Sequence, residues 1–365
     1  MHISDLYLVN FRNYKEQRVV FDPGINLLIG PNGQGKTNVL EGVSYLITGK
    51  SSRIKSENDL IHWGDKNFFL AAFFEVNDRQ LKLESFYEPG KKVMKINQLA
   101  CKRLSDYIGT VNSVSFSPDD LNIVKKGPNE RRRFIDLLIA QIRPSHITLL
   151  NAYIRVIHQK NTLLRTEKNL TLLKSQIQAW NEQIIDIGTK IIRNRIEMIE
   201  KLNKQCQKIF KNIFSDDDLL VLHYYALGKK DSSEAVNHFP ELLEKKMMHE
   251  IERKTVLIGP HRDDMIILLN GNDTRMFASQ GQQRSIVLSL KLAEMEIIYH
   301  EKAEYPILLL DDVLSELDEF RREYLINYIH LSSKQTIITM TGADDRVINS
   351  HTAVYQVLNG IIRRK

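Results

Sequence analysis

The chain has 365 residues, 42% apolar and 26% charged, the balance of a soluble protein with enough apolar residues for more than one core. No apolar run approaches the roughly 20 residues of a membrane helix, and the N-terminal stretch with Asp5, Arg12, Asn13 and Tyr14 lacks a secretory apolar segment, so the expected location is cytoplasmic. A net charge of +6 points toward an anionic partner, while Cys101 and Cys206, far apart and in no metal spacing, fit isolated thiols rather than a disulfide or zinc site.

The first elements are extended. Residues 3–11 alternate loosely with Leu6 and Leu8 inward, and residues 19–21 make a second strand. Ile25 to Ile29 is a short apolar run with the pattern of a buried strand, and Gly30-Pro31-Asn32-Gly33-Gln34-Gly35-Lys36-Thr37 follows it, reading G-x-x-x-x-G-K-T. Its glycines let successive N–H groups curl around one concavity, and a helix opening near Lys36 adds its positive end. Lys36 would reach the β and γ phosphates of a triphosphate such as ATP, and the Thr37 hydroxyl would be a ligand for Mg²⁺. A plain glycine turn is the competing reading, which the flanking strand and helix disfavour. That helix carries Val39, Leu40, Val43, Leu46 and Ile47 as an apolar stripe and stops near Gly49. Residues 68–76, 80–87 and 92–96 read as a meander with turns at Asn77-Asp78 and Pro89-Gly90.

Ser117-Pro118-Asp119-Asp120 has the look of a helix start, and the pattern to about residue 214 is mostly helical. Ile185, Ile192, Ile199, Cys206 and Ile213 recur every seven residues, as in a helix packed along a partner. Even unbroken from 176 to 214 it extends only about 60 Å, a short lobe and not a long coiled-coil arm. The basic cluster Lys125, Lys126, Arg131, Arg132 and Arg133 is a candidate for DNA phosphate, though arginines ahead of Phe134 and Ile135 on a helix can instead brace the lobe.

Strand signals return at 219–227, 255–258 and 265–269, with Asn270-Gly271 as a hairpin turn. Ser279-Gln280-Gly281-Gln282-Gln283-Arg284 opens a helix, a second phosphate-seeking end that suggests a site completed by another subunit; an ordinary N-capped helix is the plainer reading. Residues 305–312 form an apolar strand tipped by Asp311, placed to hold the metal, and Asp312, placed to take a proton from an attacking water. Residues 335–340 and 354–358 read as closing strands. The expected fold is α/β, a mixed-sheet P-loop ATPase head with an inserted mostly helical lobe. It divides as 1–117 (N-terminal ATPase part), 118–250 (helical lobe), 251–300 (signature segment) and 301–365 (acid-tipped strand and closing strands).

The order of phosphate loop, serine-glycine-glutamine segment, acid-tipped strand and Leu314-Ser315-Glu316-Leu317-Asp318 resembles ABC-type ATPase heads of the SMC-like group. Asn10-Phe11-Arg12-Asn13-Tyr14 and Gly259-Pro260-His261-Arg262-Asp263-Asp264 narrow the resemblance to the RecF family within it. That resemblance implies a weak, Mg²⁺-dependent ATPase that dimerises head to tail around ATP. Gly30 to Thr37 would cradle one copy's ATP, and Ser279 and Gln282 would reach the γ phosphate of the partner's. It further implies Asp311 and Thr37 at Mg²⁺, Lys36 and Asp312 as catalytic groups, and Asp318 at the dimer interface. Double-stranded DNA and single-strand/double-strand junctions would be bound, with RecR and RecO as partners in loading RecA. Asp312 stands where ABC transporters usually carry glutamate and Thr339-Met340-Thr341 where they carry a switch histidine, which both argue for slow turnover. An ATPase subunit of a membrane transporter and a P-loop kinase are the alternatives.

Overall fold

A computed structural model describes residues 1–51, 53–54, 56–214, 217–229, 232–331, 334–350 and 352–365. The chain divides into two compact units, Met1–Asp120 with Leu288–Lys365, and Leu121–Val287, so the second cut falls inside a helix.

In chain order, unit 1 begins with β1 (His2–Phe11), β2 (Tyr14–Val20), β3 (Ile25–Ile29), α1 (Lys36–Thr48), β4 (Phe68–Val76), β5 (Arg79–Glu88), β6 (Lys91–Ile96), β7 (Leu99–Ala100) and β8 (Ser113–Phe116). Unit 2 holds α2 (Asn122–Lys125), α3 (Pro128–Ile142), α4 (Ser145–Thr166), α5 (Leu170–Ile213), β9 (Leu220–Tyr225), α6 (Ser232–Asn237), α7 (Phe239–Arg253), β10 (Asp264–Leu269), β11 (Asn272–Asp273) and α8 (Thr274–Phe277). The helix α9 (Gln280–Lys302) crosses the division, and β12 (Ile307–Asp311), α10 (Val313–Glu316), α11 (Glu319–His330), β13 (Thr336–Met340), β14 (Thr352–Leu358) and β15 (Ile361–Arg364) complete unit 1.

Unit 1 contains two six-stranded sheets. One is antiparallel, in the order β2-β1-β4-β5-β6-β7; the other runs β15-β14-β3-β13-β12-β8, parallel except for the edge strand β15. Helix α1 packs against strands of both, which is why Val39, Leu40, Val43, Leu46 and Ile47 are all buried. The parallel strands are covered on two faces and read as continuous apolar runs, Ile25 to Leu28 and Ile307 to Leu310 among them. The antiparallel strands alternate: in β1, Ile3, Leu6, Leu8 and Phe11 enter the core, with a register shift between Ile3 and Asp5.

Unit 2 is helical around a three-stranded antiparallel sheet, β11-β10-β9. Its α5 is 44 residues long, about 66 Å, and starts six residues before the expected point because Asn169 caps it, accepting from the N–H groups of Thr171 and Leu172. Ile192, Ile199, Cys206 and Ile213 of the seven-residue repeat are buried. The strand expected at 255–258 does not form. Its N–H groups are taken by side chains instead, Val256 donating to Asn161 Oδ1 and Leu257 to Glu250 Oε1, which leaves no ladder to build. The Asn270-Gly271 hairpin is present, with φ of 51° and 82° at its two residues.

Candidate nucleotide site and its signature segment

Strands β3, β13 and β12 lie side by side and parallel, so Ile29, Met340 and Asp311 end at one edge of the sheet. Ligand sites of open α/β sheets form beyond such an edge. The Gly30 to Thr37 loop leaves β3 there and turns into α1. Gly30 passes so close to β14 that a Cβ would stand 2.1 Å from the Val357 carbonyl oxygen, and Gly35 adopts φ 108° beneath Asn13 and Tyr14. Neighbouring turns tie the loop down. The Tyr14 hydroxyl donates to Gly35 O (3.0 Å), Asn13 Nδ2 to Gln34 O (3.0 Å), and Asn359 N to Gln34 Oε1 (2.7 Å). Among the described residues no side chain caps α1 and no acid stands in its first turn; Asn38 N and Val39 N donate to Gly35 O, which leaves the N–H groups of Lys36 and Thr37 to face an anion.

Lys36 is buried and folds over the loop, Nζ donating to Gly30 O (2.6 Å) and Pro31 O (2.8 Å). Burial lowers its pKa, while the carboxylates of Asp312 and Asp311 work in the opposite direction. Thr37 Oγ1 donates to Asp311 Oδ1 (2.7 Å), the same oxygen that accepts from Thr339 Oγ1 (2.9 Å); Thr339 Oγ1 in turn accepts the N–H of Asp312 (3.0 Å). Asp312 sits at φ 53°, a left-handed conformation that costs a non-glycine residue free energy and turns the chain sharply after β12. Thr37 and Asp311 fit Mg²⁺: a hydroxyl from the first turn of α1 and a carboxylate from the end of β12 meet where a triphosphate would enter, and an ion of this kind takes few protein ligands beside water and phosphate.

In unit 2, Ser279 and Gln282 form a capping box. Gln282 N donates to Ser279 Oγ (3.2 Å), and Ser279 N donates to Gln282 Oε1 (2.8 Å). The plainer reading of this helix end is therefore realised, and it leaves Ser279 exposed beside Met276 and Phe277, which are 69% and 74% exposed.

Comparison with known proteins agrees with this geometry. The family described as RecF/RecN/SMC N terminal domain matches residues 2–362. A DNA replication and repair protein RecF from Desulfitobacterium hafniense (strain DSM 10664 / DCB-2) is 54% identical over 345 residues, 94% of each chain. The same-named protein of Natranaerobius thermophilus is 41% identical over 99% of this chain and 97% of its own. The chain belongs to the RecF family. Its fold also matches the structure of a recombination mediator protein RecF with ATP in the RecFOR pathway, at TM-score 0.91 and 31% identity over 100% of this chain and 97% of that one. An Smc head domain from Pyrococcus furiosus shares the fold at TM-score 0.57 and 17% identity.

The RecF-family stretch Gly259 to Asp264 gains a structural account. Asp264, the first residue of β10, takes a two-bond contact from Arg131 (2.7 and 2.8 Å), and Arg131 Nη1 also reaches the carbonyls of Ile123 and Lys126 in and after α2. Helix α2 packs on α8, and the Thr274 hydroxyl ties α8 back to Ile267 O. One guanidinium thus fixes both supports of the segment that delivers Ser279. Beside it, buried Asp263 accepts from Tyr224 Oη and Leu227 N, and Arg195 joins Asp136 to the Pro260 carbonyl.

These contacts settle where the basic cluster points. Arg131 is 4% exposed and Arg132 donates to the Asp263 carbonyl and to Asn129, so both brace unit 2, while Lys125, Lys126 and Arg133 stay exposed. Sequence reasoning missed the loop tethers Asn13, Tyr14 and Asn359 and the part of Thr339. Asn10-Phe11-Arg12-Asn13-Tyr14 was a signal without a role; the structure makes it the hairpin turn over the phosphate loop, anchored by Arg12 on Glu41 (2.8 Å twice). Asp318 caps α11, accepting from Arg321 N.

Proposed function

We propose that this chain is a Mg²⁺-dependent ATPase switch of recombinational DNA repair and replication restart. ATP joins two copies head to tail, each nucleotide held by one copy's Gly30–Thr37 loop and capped by the other's Ser279 and Gln282. The dimer holds double-stranded DNA and single-strand/double-strand junctions and, with RecR and RecO, promotes RecA loading at gaps; slow hydrolysis releases it. The observation that carries the reading is the continuous line Thr37, Asp311, Thr339, Asp312 at the mouth of the phosphate loop. The names of the relatives support its direction, and favour it over a transporter subunit.

The residues divide the chemistry. The loop N–H groups and Lys36 take phosphate charge, and the Thr37 hydroxyl and Asp311 carboxylate hold Mg²⁺, which when bound neutralises charge on the phosphates. Asp312 accepts the proton of the attacking water, and Thr339, by holding both Asp311 and the Asp312 backbone, keeps the two acids in separate roles. Aspartate reaches one methylene less far than glutamate, which suits slow turnover. The test is nucleotide binding and turnover of Asp312→Asn. ATP affinity should persist while turnover falls about 100-fold or more; turnover near that of the native chain overturns the assignment.

A further inference from the structure

Unit 2 carries the whole positive excess of the chain, and unit 1 is slightly acidic. On α5 the charge is ordered. Ile191, Met198, Leu202, Ile209 and Ile213 face the core. At 3.6 residues per turn, Arg193, Lys204, Lys208 and Lys211 fall on the opposite side within an arc of about 60°, and they are exposed. Their span is about 27 Å along the helix. None of the four is in an ion pair among the described residues, whereas Lys190 is taken by Asp186 and Lys201 by Glu197, which also holds Arg143. Glu200, the exposed acid of this stretch, falls beside the row, which therefore sets four cations against one carboxylate and stays positive.

We propose that this stripe is a docking surface for the phosphate backbone of double-stranded DNA. The proposal rests on the DNA-repair reading above and adds a surface to it. Charge complementarity selects a polyanion, and a rigid 27 Å row matches about eight base pairs of rise at 3.4 Å each. No aromatic side chain stands on the exposed side between Arg193 and Lys211, so the surface has no stacking platform for the bases of a single strand. Lysine contributes point charges rather than a fork, which suits sequence-tolerant backbone contact.

The experiment compares Lys204→Gln/Lys208→Gln/Lys211→Gln with Lys245→Gln/Lys246→Gln/Arg253→Gln, an equal loss of charge on exposed positions of α7. Binding of full-length protein to duplex and single-stranded oligonucleotides is measured with ATP across a salt series, alongside ATP-dependent dimerisation. The α5 variant should dimerise normally, lose duplex affinity on the order of 100-fold near physiological salt, and lower the slope of log affinity against log salt by up to about 2.7. An unchanged slope, an equal loss in the α7 variant, or a loss confined to single-stranded DNA overturns the proposal. Failure of the native chain to bind any DNA would instead sink the reading on which it rests.

Discussion

Thr339 joins the two acids of the site, its hydroxyl donating to Asp311 while accepting from the Asp312 N–H. Thr339→Val keeps the shape and removes both bonds, leaving a half-buried N–H unmet at a cost of about 1–3 kcal/mol. Turnover should drop with ATP affinity retained; unchanged turnover would show that Asp312 is placed by backbone alone. In unit 2, buried Asp263 and half-buried His261 are shifted in opposite senses. Burial pushes Asp263 up to about 6 against the bonds it accepts, and burial pushes His261 down to about 4. The raised aspartate contributes stability that is full below pH 4 and lost as pH rises through 6; the depressed histidine contributes stability present above 6.5 and lost as pH falls through 4. The two slopes oppose one another between pH 4 and 6. Asp263→Asn should therefore unmask a stability that climbs with pH in that window, read by chemical denaturation at several pH values; a flat profile would contradict the histidine's part.

Among elements, α2, α3, β10 and α8 meet at Arg131 and Asp264. Removing one partner of such a buried pair strands the other, so Asp264→Asn should destabilise the chain by about 3–5 kcal/mol, and Arg131→Met/Asp264→Leu by less. A double variant that loses as much as Asp264→Asn or more, measured by urea unfolding, would contradict the claim that the stranded guanidinium carries the cost. Much of the fold was legible in sequence because its signals are local. The loose alternation of β1, the turn-bounded run of β4, the apolar run of β3, and the contiguous Gly30 to Thr37 motif each lie within a dozen residues. Asp311 was legible for the same reason. The brace was not, since Arg131 and Asp264 are 133 positions apart and only folding pairs them. Strand β8 escaped because its alternation of Ser113, Val114, Ser115 and Phe116 ends after four residues, too short to stand out before pairing with β12 secures it. The segment 255–258 misled because periodicity is blind to side chains such as Asn161 and Glu250 that compete for backbone donors.

At the scale of the whole molecule, the phosphate loop belongs to unit 1 and the Ser279 capping box to unit 2, and the proposal assigns the loop and the exposed Ser279 hydroxyl to opposite sides of one shared nucleotide. The central claim is that nucleotide is shared between two copies. It is tested most directly by sedimentation of Lys36→Met and Ser279→Arg chains, singly and mixed, with ATP and Mg²⁺. Each variant alone should stay monomeric, while the mixture should form dimers because it rebuilds one complete site from the loop of one copy and the Ser279 of the other. Dimers of Ser279→Arg alone, or a mixture that remains monomeric while native chains pair, would contradict the account.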